Sequence, residues 1–414
     1  MTKSETDVAI IGGGAAGIAA GRRLRKAGVD CLVIEARGRL GGRAWTVERD
    51  GFALDLGCGW LHSAERNPWS KIADEQGRTI DRTRPPWTRP LLSMEFPLAD
   101  QQDFRHAMNS LYDRLEVMLA EREDVLASEA LPAGGRWNAL ITAVGTYISG
   151  AELDRMSGRD FINYQDTEVN WSIVEGYGAT IAAAGRELPA ALDCPVTRID
   201  HSGRRLKIET AKGIIVADQA IVTLPTAMIA DNEHLFFPAL PDKTRAAGEL
   251  PLGLADKLFI ALADSEEFEP NCRVFGHTDR VATASYQIRP FGRPLIEAYF
   301  GGSNAAALEH GGDRAFFDFA VAELTAVFGS AFAKRLKPVA VHRWRADPFA
   351  RGSYSYAVPG KAACREALAA PVDGRLFFAG EACSPSDFST AHGGWFTGTA
   401  AAEQAIAVRE SARV

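Results

Sequence analysis

The sequence predicts an α/β protein in which both ends of the chain form one discontinuous domain and the middle forms an α+β domain. Two observations support this fold class. Strand and helix patterns alternate over the N-terminal eighty residues and return at the C-terminus, whereas the segment between them mixes helices with a β-meander. A length of 414 residues also suits two or three domains. The predicted boundaries are 1–80, 190–235 and 340–414 for the discontinuous domain, and 81–189 and 236–339 for the other.

The N-terminal unit contains a glycine-rich turn between a strand and a helix. Gly12, Gly14 and Gly17 have G-x-G-x-x-G spacing, which allows a tight turn, close approach of a pyrophosphate and close packing of the helix on the sheet. Glu35 ends the next strand, where a carboxylate accepts hydrogen bonds from ribose hydroxyls and repels a 2′-phosphate. We therefore predict a Rossmann-like domain that binds a dinucleotide other than NADP. The elements are predicted at 7–11 (strand), 15–27 (helix) and 30–36 (strand).

The middle of the chain begins with a Pro-rich stretch, TRPPWTRPLLSMEFP, which interrupts the α/β alternation. Apolar residues at helical spacing then predict helices, and alternating or continuous apolar runs predict strands. The C-terminal sequence GRLFFAGEA predicts a strand and a turn, followed by a terminal helix. The predicted elements are helices at 102–123 and 314–328, a β-meander at 196–225, a short helix before a strand at 258–262, and the terminal helix in GGWFTGTAAAEQAIAVRE.

Composition argues against several classes of partner. The 46 basic and 53 acidic residues give a net charge of −7 without a long basic run, so nucleic acid is not the expected partner. The six cysteines contain no CxxC pair, so we expect no metal site, no disulfide framework and a reducing cytoplasm. Neither a signal peptide nor an apolar run of about 20 residues is visible, so we expect no membrane partner. The sequence leaves open whether the chain forms a homodimer.

One lysine raises a specific question. Leu258 to Leu262 form an apolar run of strand length, and Lys257 stands at its head. Charged residues are rarely fully buried, and a lysine stem can lie along a sheet while its ammonium reaches water. From these residues alone, a lysine that extends to solvent is the favoured interpretation.

Further motifs extend the dinucleotide unit. EARGRLGGRAWT adds a second glycine turn, from which Arg43 could reach a pyrophosphate, and LFFAGEA and AHGGWFTGTAAAEQA lie near the C-terminus. Through these motifs the chain resembles the flavin amine oxidase family, which includes monoamine and polyamine oxidases. The resemblance implies FAD, with the terminal helix beginning at the isoalloxazine ring and stabilising charge there. Glu381 matches a glutamate near the ribityl and phosphate region. The implied FAD-binding positions are Gly12, Gly14, Ala15, Ala16, Gly17, Glu35, Ala36, Arg37, Gly41, Gly42, Arg43, Gly57, Gly59, Trp60, Val196, Trp344, Gly380, Glu381, Gly394 and Trp395.

The resemblance also implies a reacting face. RWRADPFARGSYSYAVPG is similar to a polyamine oxidase segment that places Trp344 against the flavin and Tyr354 before it, and Trp395 matches the partner wall. Two aromatic faces flanking a slot orient an amine; the alternative is that these rings are core aromatics. In the family a lysine reaches flavin N5 through a water, and Lys257 matches it. Desolvation there is expected to favour the neutral amine. Lys257, Tyr354 and Trp395 are therefore the implied catalytic residues.

Two smaller features refine the resemblance. Mitochondrial monoamine oxidases carry a flavin-linked cysteine where this chain has Ser353, so the implied FAD is non-covalent. DLGCGWLHS resembles the polyamine oxidase pattern DLGxxW(I/L)HG and makes His62 a candidate substrate-side residue, with an ordinary structural histidine as the alternative. The chain departs from that pattern at Cys58 and Ser63, which puts polyamine specificity in doubt.

The function implied is oxidation of a small amine. Hydride passes from the α-carbon to flavin N5, the imine is hydrolysed, and reoxidation by O2 gives H2O2. Alternatives are an L-amino-acid oxidase, a flavin dehydrogenase or desaturase, an NAD-dependent dehydrogenase, and a non-catalytic binding module. An amino-acid oxidase needs an arginine for the carboxylate, with Arg84, Arg89 and Arg289 as candidates. Monoamine, polyamine and cyclic amine substrates all remain open.

Overall fold

The computed structural model describes residues 4–94 and 96–411. The ends of the predicted domain ranges and Glu95 of the Pro-rich stretch lie outside the described residues. The strands are β1 (Glu5–Ile11), β2 (Cys31–Ile34), β3 (Thr46–Arg49), β4 (Phe52–Asp55), β5 (Trp60–Leu61), β6 (Ile80–Asp81), β7 (Trp171–Ile173), β8 (Ala190–Ala191), β9 (Val196–Asp200), β10 (Leu206–Thr210), β11 (Gly213–Val222), β12 (Phe236–Phe237), β13 (Ala255–Leu262), β14 (Cys272–Phe275), β15 (Ser285–Ile288), β16 (Leu295–Gly301), β17 (Leu336–Val341) and β18 (Leu376–Phe378). The helices are α1 (Ala15–Lys26), α2 (Pro68–Glu75), α3 (Leu98–Glu121), α4 (Asn138–Ser149), α5 (Gly158–Asn163), α6 (Tyr177–Ala184), α7 (Thr226–Ala230), α8 (Pro241–Gly248), α9 (Gly302–Gly311), α10 (Asp313–Phe328), α11 (Cys364–Ala369) and α12 (Ala391–Ser411).

The larger sheet joins both ends of the chain. Its strand order is β12-β9-β10-β11-β1-β2-β8, and β18 also pairs with β11. β1 lies parallel to β2 and β11, whereas β9, β10 and β11 form an antiparallel meander. The predicted α/β fold class and the meander are therefore confirmed. Two helices inside the predicted second domain, α6 and α8, contribute buried residues to the cores on this sheet.

Helices α1 and α12 lie against the larger sheet and contact each other through small residues. A Cβ on Gly398 would lie 2.1 Å from the carbonyl oxygen of Ala16, so only glycine fits there. A Cβ on Gly394 would contact Ala15 and Ala16 at 3.6 Å. The first turns of both helices are consequently neighbours, and their partly positive N-terminal ends face the same region.

The smaller sheet is antiparallel, with the order β14-β15-β16-β13-β17. One face of this sheet packs on α9 and α10 through a core that includes Leu258, Tyr286, Phe300 and Phe316. Because side chains alternate between faces along each strand, Lys257 and its cross-strand neighbour Tyr299 lie on the opposite face. A separate helical layer of α3, α4 and α5 has its own core.

Element types are confirmed where the patterns were clear, but several boundaries differ, and two of these differences have an identifiable cause. α3 begins at Leu98 because Pro97, with φ fixed near −63°, forms its N-cap. β13 begins at Ala255, so Lys257 lies inside the strand and not at its head. Asp256 and Lys257 are paired in the ladder with Phe300 and Tyr299, and their polar side chains hid the strand from an apolar-run prediction.

Candidate active site

The glycine turn after β1 leaves room for a ligand at one position only. Gly12 has φ +107°, and a Cβ there would lie 2.5 Å from the hydroxyl oxygen of Thr223. A Cβ on Gly17 would lie 1.9 Å from the carbonyl oxygen of Gly12. Around Gly14, by contrast, the nearest atoms are Gly42 and Gly41 at 3.9 and 4.0 Å. The backbone at Gly14 is thus open to a pyrophosphate, beside the second glycine turn.

Glu35 is held at this turn. Its carboxylate is 4% exposed and accepts hydrogen bonds from the backbone amides of Gly13 at 2.7 Å and Arg37 at 2.8 Å. The Arg37 guanidinium pairs with Asp347 at 2.5 Å. The Cys194 amide donates to the Glu35 carbonyl, which brings the start of β9, and with it Val196, next to the end of β2. The structure therefore brings the predicted positions Glu35, Arg37 and Val196 close together.

Arg43 and Glu381, predicted separately, form an ion pair with Nη1 and Oε1 2.9 Å apart. Arg43 also donates to the carbonyl of Ser353 at 2.6 Å. Glu381 accepts hydrogen bonds from the Ser355 hydroxyl and the Ser389 amide. Burial opposes its ionisation most strongly, but Arg43 and the other cations and donors outweigh it and lower the pKa of Glu381. The carboxylate is thus a fixed negative charge beside the second glycine turn.

A buried network that sequence reasoning missed continues from Glu381. The Arg365 guanidinium donates to the Ser355 hydroxyl at 2.9 Å and to both oxygens of Asp160 at 2.7 and 2.8 Å. Arg365 and Asp160 are each 1% exposed, and the Phe388 ring lies 3.7 Å from the guanidinium. Three distant segments supply these residues, so no local motif marks them.

Lys257 lies deep in the protein and does not extend to solvent. It is 5% exposed, and its Nζ lies 3.0 Å from Oε1 of Glu297. A Cβ on Gly59 would lie 3.0 Å from the same Nζ, so the ammonium contacts the DLGCGW loop. Both the solvent-extended interpretation and the head-of-strand position are therefore wrong.

The expectation of a neutral Lys257 is also wrong. Burial acts most strongly and alone would lower its pKa, but Glu297, Tyr299 and Asp55 together outweigh it, so the pKa of Lys257 is raised. The missing element was Glu297, a carboxylate on β16 that faces Lys257 across the ladder. An inward-facing Glu in the strand pattern LIEAYFG was a signal that could have found it.

The predicted aromatic residues occupy two separate environments. Tyr354 donates to the Tyr147 carbonyl at 2.5 Å, and its hydroxyl lies 3.3 Å from that of Tyr299. Trp344 is 2% exposed and donates to the carbonyl of Leu56 at 3.0 Å. A Cβ on Gly57 would lie 1.8 Å from the carbonyl oxygen of Arg43 and 3.2 Å from the Trp344 ring, so the Arg43 backbone is the main reason that glycine is needed there.

Trp395 packs edge-to-face on Trp69, with ring centroids 4.8 Å apart. Within the described residues its ring makes no contact with that of Tyr354, and the two-walled slot stays a prediction. Gly380, at φ +141°, precedes Glu381 and has no atom within 4 Å of a Cβ placed on it. The backbone there is open, as it is at Gly14.

His62 belongs to a polar and aromatic cluster. Its Nδ1 lies 2.7 Å from Oδ1 of Asn170 and 3.4 Å from Oδ2 of Asp166. The rings of Trp60 and Trp87 are in edge-to-face contact, and Trp87 is 41% exposed. His62 is thus partly exposed, with its ring centroid 6.2 Å from that of Trp87.

Other candidate groups are accounted for. Arg89 donates to the Arg84 carbonyl and Arg289 to the Phe268 carbonyl, so two of the three arginines considered for a carboxylate are engaged by backbone. Across residues 4–94 and 96–411 we find no cluster of three metal-ligating side chains. The helices described there include none with the length and hydropathy to cross a membrane.

Comparison with known proteins decides the family. A model of the flavin containing amine oxidoreductases matches residues 15–406. The chain belongs to the flavin-containing amine oxidoreductase family. Polyamine oxidase 3 of Oryza sativa subsp. japonica is 31% identical over 97% of this chain and 90% of its own length. Pseudooxynicotine dehydrogenase of a Pseudomonas species is 24% identical over 90% of this chain and 81% of its own length.

Solved structures agree on the fold of this amine oxidoreductase. A putrescine oxidase double mutant with redesigned cofactor binding superposes with a TM-score of 0.78 at 18% identity, over 98% of this chain and 100% of that chain. The family, fold class, FAD cofactor and FAD-dependent amine oxidation predicted from sequence are thus confirmed. The NAD-dependent dehydrogenase and the non-catalytic module are wrong, and the remaining flavoenzyme alternatives are not favoured.

Proposed function

We propose that this amine oxidoreductase oxidises the C–N bond of a small amine to an imine and uses dioxygen as electron acceptor, releasing hydrogen peroxide. FAD, when bound, supplies the redox chemistry by taking up a hydride equivalent and passing the electrons on. The observation that carries the proposal is the buried ion pair of Lys257 and Glu297 against Gly59, because a structural role would not require a charge there.

Lys257 is proposed to hold a proton at Nζ throughout turnover. Its raised pKa keeps the ammonium form, and a fixed positive charge in a water-poor site stabilises negative charge that develops on dioxygen. Lys257 and Glu297 also line a small polar cavity with Asp55, Ser172 and Gln287. Water in such a cavity would connect the ammonium with solvent protons.

The amine itself is proposed to bind between aromatic residues. The hydroxyls of Tyr299 and Tyr354 lie 3.3 Å apart, and the Tyr299 ring centroid is 5.9 Å from Nζ of Lys257. These rings supply an electron-rich face for the amine, with Trp395 as the opposite wall. His62 is proposed as a substrate-side residue at the outer end.

Trp395→Ala is expected to leave FAD bound and to lower kcat/KM for amine oxidation. One wall of the slot would be lost, and a truncated aromatic contact of this kind is worth about 0.5–1.5 kcal/mol beyond area burial. Steady-state kinetics with the preferred amine measures the effect, and Phe237→Ala, at an exposed ring outside the proposed site, is the comparison. Unchanged kcat/KM would make Trp395 a core aromatic that serves only the packing on Trp69.

FAD is proposed to lie along the open backbone of both glycine turns, with the first turns of α1 and α12 directed at it. The backbone is open at Gly14 and Gly380, and Glu35 and Arg43 place charged groups beside it. These four positions therefore fit a dinucleotide. We further propose the predicted two-domain division. We also propose a cytoplasmic location, which the six free cysteines support.

Acid or heat denaturation is expected to release FAD into the supernatant. The Ser353 hydroxyl cannot form a thioether and is engaged by the backbone of Ala255 in both directions at 2.8 Å. The nearby Cys58 is poorly suited to attack the flavin, because burial raises the pKa of its thiol to about 12. Absorbance of supernatant and pellet measures the outcome. Flavin retained in the pellet would refute non-covalent binding, and the same assay on Cys58→Ala would then test that thiol.

The function is tested by a peroxide-release screen with purified protein. The panel contains primary, secondary and cyclic amines, diamines and L-amino acids, and a flavin absorption spectrum accompanies each sample. Peroxide formed with amines supports the proposal. Flavin that is reduced by an amine without oxygen uptake would replace dioxygen by another acceptor, and turnover of amino acids alone would replace the substrate class.

A further inference from the structure

We propose that Arg273 forms an anion-binding subsite on the wall that carries Lys257, so that the substrate amine also bears a carboxylate at its far end. This inference rests on the proposed function and names its substrate class. It begins from the smaller sheet, whose two faces differ in chemistry.

The face opposite the α9 and α10 core carries polar residues in register. In the register of the sheet, Lys257 pairs with Tyr299, Tyr299 with Ser285, and Ser285 with Phe275. Directly paired residues of antiparallel strands share a face, and residues two apart along a strand share it as well. Arg273, two residues before Phe275, therefore lies on the same face as Lys257.

Aromatic residues connect the two cations along this face. Arg273 donates to Ser285, the cross-strand neighbour of Tyr299, and the Tyr147 ring packs edge-to-face on that of Tyr299 with ring centroids 6.1 Å apart. Tyr299 in turn contacts Tyr354 and lies over Lys257. Arg273 and Lys257 thus stand at two ends of one wall, with three tyrosines between them.

Arg273 is partly buried, and among the described residues it forms no ion pair. Its Nε donates to the Ser285 hydroxyl at 3.0 Å, and the Phe275 ring lies 5.1 Å from its guanidinium. Burial lowers the pKa of Arg273 to about 10. Over the part of the chain that the structure describes, no carboxylate lies within 4.0 Å of it.

The deeply buried Arg365 differs from Arg273, because its guanidinium donates hydrogen bonds to both carboxylate oxygens of Asp160. A partly buried guanidinium without such a partner is free to bind a carboxylate, which would accept two parallel hydrogen bonds from it. The residue also keeps intermediate exposure, so a ligand can reach it. Glu297 cannot take this role, because it pairs with Lys257.

Strand spacing sets the length of the ligand. β14 and β16 are separated by one strand, so their backbones lie about 10 Å apart. An α-amino acid carries its amine and carboxylate on one carbon and cannot reach from Tyr299 to Arg273. An amine whose carboxylate is separated from it by several carbons can do so. A diamine is disfavoured, because its second ammonium would approach the guanidinium.

The test compares ligands that differ in one charge. Amino carboxylates of increasing chain length, their methyl esters and the matching diamines are mixed anaerobically with the FAD-loaded enzyme. Kd is obtained from the dependence of flavin absorbance on ligand concentration or, for ligands that reduce the flavin, from the dependence of the reduction rate, and thermal unfolding is a second readout of binding. The wild type is expected to bind one of the acids about 10- to 100-fold more tightly than its ester, as for a charge-assisted hydrogen-bonded pair. Arg273→Gln should abolish this preference, and Arg273→Lys should restore part of it.

The control is Arg314→Gln, which removes an exposed helix arginine and should leave the preference unchanged. Equal binding of acid and ester by the wild type, or an unchanged preference in Arg273→Gln, would overturn the subsite. If Arg273→Gln does not fold, the Arg273→Lys variant and the wild-type comparison still decide. Failure of every amine to reduce the flavin would refute the proposed function, whereas the binding preference tests Arg273 independently.

Discussion

Lys257→Met should slow a flavin half-reaction by roughly 10²- to 10³-fold, the loss typical when a group that stabilises developing negative charge is removed. Methionine preserves the length and apolar stem of the side chain, but the positive charge at Nζ disappears from a site where Glu297 and Asp55 remain. Anaerobic reduction by the amine and aerobic reoxidation are followed separately by stopped flow, and the absorption spectrum verifies that FAD is bound. Wild-type rates in both half-reactions would return Lys257 to a structural role.

Two variants sharpen this prediction. Lys361→Met removes a lysine whose side chain is 46% exposed and should leave both rates unchanged. Glu297→Gln removes the nearest carboxylate and should therefore lower the pKa of Lys257. Because the ammonium is lost as pH rises through that pKa, the alkaline limb of the rate profile should move to lower pH in Glu297→Gln. An unshifted limb would mean that Glu297 does not set the charge of Lys257.

Asp160→Asn should lower the free energy of unfolding by about 3–5 kcal/mol, the usual cost of breaking a buried ion pair from one side. Arg365 would keep its charge at 1% exposure and lose its bidentate partner. The backbone amide of Ala357, which donates to Asp160 at 2.8 Å, would also lose its carboxylate acceptor. Chemical denaturation of the FAD-loaded protein measures the change.

The matched control is Asp242→Asn, which breaks an Arg–Asp pair whose side chains are 70% and 84% exposed. Its effect should stay within about 0.5 kcal/mol. Because Arg365 also supports Ser355 and through it Glu381, Asp160→Asn should weaken FAD binding in a dialysis assay. Equal stabilities of the two variants would show that the network around Arg365 carries no more energy than a surface pair.

Sequence was most informative where the determining residues are contiguous. The strand, glycine turn and helix that include Gly12 and Gly17 follow from local sterics, so the α/β unit could be predicted from one short segment. The family was equally accessible, because its motifs are local at both ends. The charge on Lys257 was harder to predict, because the pattern LIEAYFG marks an inward-facing Glu297 but does not specify the strand pairing that brings it to Lys257.

The same reason explains what else was missed. Asp160, Ser355 and Arg365 come from segments that are not contiguous in the chain, and each alone resembles an ordinary polar residue. Arg273 gave no signal in the sequence, because an arginine in a short strand is usually exposed. Its meaning depends on the sheet register that aligns it with Lys257 and on the absence of a carboxylate around it in the described structure.

The pairing of β11 with both β1 and β18 has a consequence for how the protein is made. Ile11 is aligned with Val222, and Ala220 with Leu376. The central strand β11 therefore pairs with one strand from each end of the chain, and these pairings are complete only after β18 has been synthesised. Contacts so distant in sequence are closed late, and folding dominated by them is slow. We therefore expect that a ribosome-bound chain cannot capture FAD until its C-terminal segment has emerged, and that cofactor loading follows synthesis.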